Sequence, residues 1–73
     1  MTWFFRVVEQ PDGRWACRFG REDLGTYPNL TVALYHLVEI ATELGGRHNF
    51  TFRIHHLDGS VESRPAADPV PGE

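Results

Sequence analysis

Residues 29–46 read NLTVALYHLVEIATELGG, and the reading of this stretch decides the fold. Leu30, Ala33, Leu34, Leu37, Ile40, Ala41 and Leu44 recur at spacings of three and four, so they share one side of an α-helix, while His36, Glu39 and Glu43 share the other. One side of the helix is therefore expected to face a core. Asn29 is suited to cap the first turn by accepting a backbone N–H bond. Pro28 disfavours backward extension, and Gly45-Gly46 supply the left-handed conformation that ends helices. Val32 stands where a capping box would need Glu or Gln, which leaves Thr31 as an alternative cap.

The segments on either side read as strands. Residues 3–9, WFFRVVE, are rich in aromatic and β-branched residues and lead into Gln10-Pro11-Asp12-Gly13, a sequence suited to a tight turn. A second extended run covers residues 14–20, so the two form a β-hairpin. Alternation puts Trp3, Phe5 and Val7 on one face with Trp15, Cys17 and Phe19, where they should meet the helix. The opposite face takes Phe4, Arg6 and Val8 with Arg14, Ala16 and Arg18. Residues 21–27 show no sustained period and read as a loop, with room for a short strand near residues 25–27.

Beyond the helix, residues 50–57, FTFRIHHL, alternate cleanly, with Phe50, Phe52 and Ile54 on one side and Thr51, Arg53 and His55 on the other. Asp58-Gly59 is a favoured hairpin turn because both positions tolerate positive φ, and residues 60–64 return antiparallel. Residues 65–73, PAADPVPGE, hold three prolines and little to bury, so a disordered acidic tail is expected after a single domain over residues 1–64. The fold implied is β-β-α-β-β, a two-layer α+β domain with an antiparallel sheet and one helix across one face.

Several of these patterns are similar to the small bacterial domain-of-unknown-function family 2188. PDGRWACRFG (residues 11–20), a helix marked by Ala33 and Ala41, and HHLDGSVES (residues 55–63) carry the resemblance, which spans about residues 4–63. Cys17 departs from the aliphatic residue usual there, Leu34, Leu37 and Val38 are bulky for the family's helix, and its acidic residues after the cap are missing. The resemblance implies a fold and no enzymatic annotation, and it supplies no catalytic residues to carry over.

Size and charge narrow the function. At 73 residues, with Cys17 as the only cysteine, the chain has room for a small core and no internal disulfide, so self-association into a homodimer is expected. No apolar run approaches the roughly 20 residues of a membrane span and MTWFFRVVE has no basic leader, so a cytoplasmic protein is expected. The net charge is −3, but residues 1–64 are nearly balanced, with seven arginines against eight acids and no lysine. A strongly basic nucleic-acid binder is not indicated.

The residues capable of chemistry do not converge. His55 and His56 are adjacent in a strand and point oppositely, His36 is on the polar side of the helix and His48 is in a connection, so no metal-ligand spacing arises. Cys17 is expected in the core, where a thiol is a small inert hydrophobe. Glu39 and Glu43 read as a solvated helix face, and the glycines sit at turns and ends rather than in a phosphate loop. No enzyme, cofactor or metal is expected. The informative constellation is the outer face of the sheet, where Arg6, Arg14, Arg18, Arg53 and His55 interleave with Phe4, Val8 and Leu57. Guanidinium groups among apolar residues suit phosphates, bases or an acidic protein surface. Solvated arginines paired with Glu9 or Glu62, or a dimer covering Phe4, Val8 and Leu57, are the competing readings. Val32 and Tyr35, on the helix flank, are a second candidate contact. The expected function is a non-enzymatic protein-interaction module acting through the arginine face; single-stranded nucleic acid or RNA binding there, or a small phage-type inhibitor occupying a partner's surface, are the alternatives.

Overall fold

The computed structural model describes residues 3–67. Five strands and one helix follow in the order β1 (Trp3–Glu9), β2 (Trp15–Phe19), β3 (Glu22–Tyr27), α1 (Leu30–Leu44), β4 (Phe50–His55) and β5 (Val61–Pro65), with a 3-10 turn at Arg47–Asn49 before β4. The strands form one sheet ordered β3-β2-β1-β4-β5, and α1 packs on one face. This is the expected two-layer α+β architecture.

The helix begins and ends where its sequence directs. The Asn29 side-chain oxygen accepts the Val32 N–H at 2.9 Å, so Asn29 and not Thr31 is the cap. At the other end the Gly45 and Gly46 N–H groups both turn back to the Ala41 carbonyl, and Gly46, at φ 96°, holds a conformation that side-chain-bearing residues rarely adopt. Ala33, Leu34, Leu37 and Ala41 are fully buried against Phe5, Val7, Cys17, Phe52 and Ile54 from the three central strands. The Phe5 ring stacks on Phe50 with centroids 4.9 Å apart. Burying each of the large side chains contributes about 1.5–3 kcal/mol, which makes this cluster the main source of stability.

Residues 22–27 form a full strand rather than the expected loop. Their alternation is hidden by a β-bulge opposite Cys17 and Arg18, where Asp23 and Gly25 flank the extra residue Leu24. The Asp23 carboxylate accepts the Gly25 N–H at 2.9 Å, and Gly25 takes φ 110°, which only glycine enters readily. A period-two pattern cannot survive such an insertion.

The third strand changes the direction of everything after it. β1, β2 and β3 form an antiparallel meander, so β3 runs the same way as β1, and α1 then carries the chain back over β2 and β1 to start β4 at the same end. β4 therefore pairs parallel with β1, in register Trp3↔Phe50 through Val8↔His55. The sheet is mixed, not wholly antiparallel as expected. With a loop in place of β3, the same helix would have delivered β4 antiparallel to β1. The β4–β5 hairpin closes antiparallel, as its Asp58-Gly59 turn implies.

The core is shorter than the apolar pattern suggests. Trp3 and Leu44, both expected inside, are 48% and 59% exposed, because Gly45 stops the helix before it covers that end of the sheet. The expected tail begins too early: Pro65 lies in β5, and Ala66 is fully buried with its N–H donating to the Phe50 carbonyl at 3.0 Å. The rest of that expectation, residues 68–73, lies outside the described residues. No helix among the described residues is long and apolar enough to cross a membrane.

Two substitutions test this account by urea denaturation. Asn29→Ala is expected to cost about 1 kcal/mol through loss of the cap. Leu37→Ala is expected to cost about 2–5 kcal/mol, since its fully buried site leaves a cavity.

Candidate binding face

The face of the sheet turned away from α1 carries the residues of interest, and strand register determines which of them meet. Arg6 on β1 lies opposite Arg18 on β2 and opposite Arg53 on β4. Three guanidinium groups therefore stand in one row across the three central strands. The row continues to Asp23 on β3 at one end and to Ser63 on β5 at the other. A second row, Thr26, Ala16, Val8, His55 and Val61, runs beside it and is mainly apolar.

Like charges directly opposite one another across strands are unfavourable, so such a row needs a countercharge or solvent. Glu9 and Glu62 are committed elsewhere, and Asp23 stands only at the end of the row. Glu9 accepts the Leu57 N–H at 3.0 Å and lies 3.8 Å from His56 Nδ1, tying the β4–β5 hairpin to the end of β1. Glu62 binds Arg64 on the side of β5 facing the helix layer. Asp23 already receives the Gly25 N–H. Among the described residues, Arg6, Arg18 and Arg53 form no ion pair with a carboxylate, so Glu9 and Glu62 do not neutralise the face.

Phe4 completes the site. It is 44% exposed, and the Arg53 guanidinium carbon lies over its ring, 4.3 Å from the centroid, a cation–π contact. Phe4, Arg6, Gly20 and Arg53 line a concavity of about 370 Å³. Two guanidinium forks and a ring face around one depression can engage a carboxylate or phosphate while stacking on a flat group. Gly20, Asp23 and Ser63 join the face without being among its expected members. Gly20 and Ser63 are reachable by extending the alternation, whereas Asp23 is hidden by the bulge.

Other expected members fall away from the row. Arg14 precedes β2, sits in the hairpin and pairs with Asp12 at 3.8 Å. Leu57 is in the β4–β5 turn rather than on the face, 57% exposed, because β4 ends at His55. His55 stays on the outer face, in the apolar row between Val8 and Val61, and its Nε2 is enclosed without a hydrogen-bond partner. Half-buried Val32 and 38% exposed Tyr35 are on the helix, across the molecule from the arginines.

The remaining reactive groups have structural partners. His36 stacks on Tyr27 with centroids 4.6 Å apart, and His56 meets Trp15 edge-on at 5.6 Å. Among the described residues no group of three His, Cys, Asp or Glu is placed to hold a metal. Cys17 is fully buried, and burial, followed by the nearby Asp23 charge, pushes its thiol up to about 12 from 9.0. The Ser60 hydroxyl, then its N–H, holds the Asp58 carboxyl below its usual range, which stabilises the last turn.

No family model, no curated protein and no solved structure matches the chain. The functional reading therefore rests on this face.

Replacing the central charge of the row tests whether it is strained. Arg6→Thr, which removes the middle guanidinium and keeps a strand-favouring residue, is expected to raise stability by about 0.5 kcal/mol in urea denaturation. A loss of that size would mean the arginines support the fold. Cys17 should resist a thiol reagent in the native state and react after unfolding. Its folded-state value is the higher one, so its contribution to stability is intact below pH 9.0 and is lost as pH rises toward about 12.

Proposed function

We propose that the chain is a non-enzymatic, self-associating interaction module that binds an acidic segment of another protein through the row Arg18, Arg6 and Arg53. The observation that carries this reading is the row itself: three guanidinium groups in cross-strand register, beside an exposed aromatic ring, with Glu9 and Glu62 turned away and Asp23 only at its end. A merely solvated surface gains nothing from that alignment, whereas a ligand with several carboxylates would convert its repulsion into charge-assisted hydrogen bonds. Cys17 supports no nucleophile, because it is buried and its thiol stays protonated.

A second reading has an observation of its own. The exposed Phe4 ring with Arg53 over it is the kind of platform on which unpaired bases stack, so a single-stranded nucleic acid is the alternative ligand. The net charge of −3 favours the protein reading, since a long polyanion would meet overall repulsion away from the row.

Fluorescence anisotropy with a labelled polyglutamate peptide and a mixed-sequence single-stranded oligonucleotide separates the two. The peptide is expected to bind at low salt and to weaken as salt rises, while Arg18→Glu combined with Arg53→Glu keeps the circular dichroism spectrum and abolishes binding. Each arginine replaced singly by alanine should weaken binding by about tenfold, the effect of one charge-assisted hydrogen bond. Binding of the oligonucleotide alone, with a steep salt dependence, would replace this reading by the second. Peptide binding unchanged in the double variant would remove the row from the function.

A further inference from the structure

We infer that β5 is the seam of a homodimer, in which two copies pair their β5 strands antiparallel about a twofold axis at Ser63 and join their sheets edge to edge. The inference supplies a route for the self-association proposed above, and it stands whether or not the arginine row binds an acidic segment.

β5 is the last strand of the sheet. In its pairing with β4, the Ser60 carbonyl accepts the His56 N–H and the Ala66 N–H donates to the Phe50 carbonyl. Strand alternation then aims the backbone groups of Glu62 and Arg64 at β4, and those of Val61, Ser63 and Pro65 at the free edge. Pro65 has its ring nitrogen on that edge, the side on which a strand tolerates proline. Among the described residues no group bonds to this edge. Val61, Ser63 and Pro65 are all exposed there.

Charge selects the register. Two antiparallel alignments would set Glu62 opposite the partner's Glu62, or Arg64 opposite the partner's Arg64, in a closely spaced pair. The alignment with Ser63 opposite the partner's Ser63 instead sets Glu62 opposite the partner's Arg64, once on each side of the axis. Within each strand Arg64 already binds Glu62 through Nη2, and its Nη1 is buried without an acceptor. The charged side chains around the axis thus alternate in sign. The backbone agrees with this alignment: the Ser63 residues exchange two hydrogen bonds, and each Val61 N–H reaches the partner's Pro65 carbonyl. Proline's missing N–H removes only the return bonds.

The other edge is unsuited. β3 carries a bulge at Leu24, the positive-φ Gly25 and the adjacent carboxylates Glu22 and Asp23, all features that discourage edge pairing.

The dimer has a consequence for the outer face. Ser63 ends the row of Arg18, Arg6 and Arg53, so pairing Ser63 with the partner's Ser63 runs the two rows together. The Arg53 residues of the two copies would lie about 14 Å apart, three strand spacings. One extended acidic segment could then contact both copies. A five-residue edge is a small contact, so association on the order of micromolar or weaker is expected.

Sedimentation velocity of the full chain over a concentration series tests the inference. The wild-type chain should show a monomer–dimer equilibrium. Ser63→Pro, which deletes only an outward N–H, should keep the melting temperature and shift the chain to monomer. Glu62→Arg and Arg64→Glu should each be monomeric alone, and an equimolar mixture should recover the dimer mass, because the two sets of charges complement each other across the axis. A wild-type chain that stays monomeric throughout, a dimer untouched by Ser63→Pro, or a mixture that fails to associate would overturn the inference. Loss of the dimer in Phe4→Ser with Ser63→Pro unaffected would do the same and move the seam to the outer face. None of these masses depends on peptide binding, so failure of the arginine reading would show separately.

Discussion

The parallel pairing of β1 with β4 is the constraint on which the rest of the structure depends. It joins a meander made before the helix to a hairpin made after it, and neither piece has a core without the other. Its register places Phe5 beside Phe52 and Val7 beside Ile54 under the helix, where all four are buried. The same register places Arg6 beside Arg53 on the far side. A slip of one residue would turn the phenylalanines outward and the arginines into the core, so burial on one face enforces the charge alignment on the other.

This coupling explains how an unfavourable row of charges persists. Cross-strand repulsion of like charges costs some tenths of a kcal/mol per pair, while each buried aromatic or aliphatic side chain under α1 contributes several times that. The core can hold the arginines in line without help from carboxylates. Glu9 acts on the hairpin instead, through the Leu57 N–H and His56, and so fixes the far end of β4 relative to β1. Glu62 is spent within β5 on Arg64, and Asp23 accepts the Gly25 N–H of its own bulge.

The two ends of the sheet are protected unequally. β3 is irregular and acidic, whereas β5 is regular, short and alternates glutamate with arginine, with only Pro65 limiting its donors. A fold of this size hides a modest core and leaves Trp3, Phe19, Leu44 and Phe50 around a groove of about 230 Å³ at the end of the helix. Glycine at position 45 ends the helix at Leu44, and Trp3 is left 48% exposed.

The sequence by itself determined the elements that obey a local rule. The helix with its Asn29 cap and glycine stop, the alternation of β1, β2 and β4, and the Asp58-Gly59 hairpin were legible because period, capping and turn chemistry act over a few residues. So was the separation of Arg6, Arg18 and Arg53 from the core. Tertiary structure decided the rest. β3 was legible only as room for a short strand near residues 25–27, because its bulge and Gly25 break the alternation, and reading the segment mainly as a loop inverted the expected direction of β4. That the three arginines stand directly opposite one another, that Arg14 and Leu57 do not join them, and that Ala66 closes the core follow from register between strands distant in sequence. Local pattern tells which face a residue takes; only pairing between strands tells which residue stands beside it.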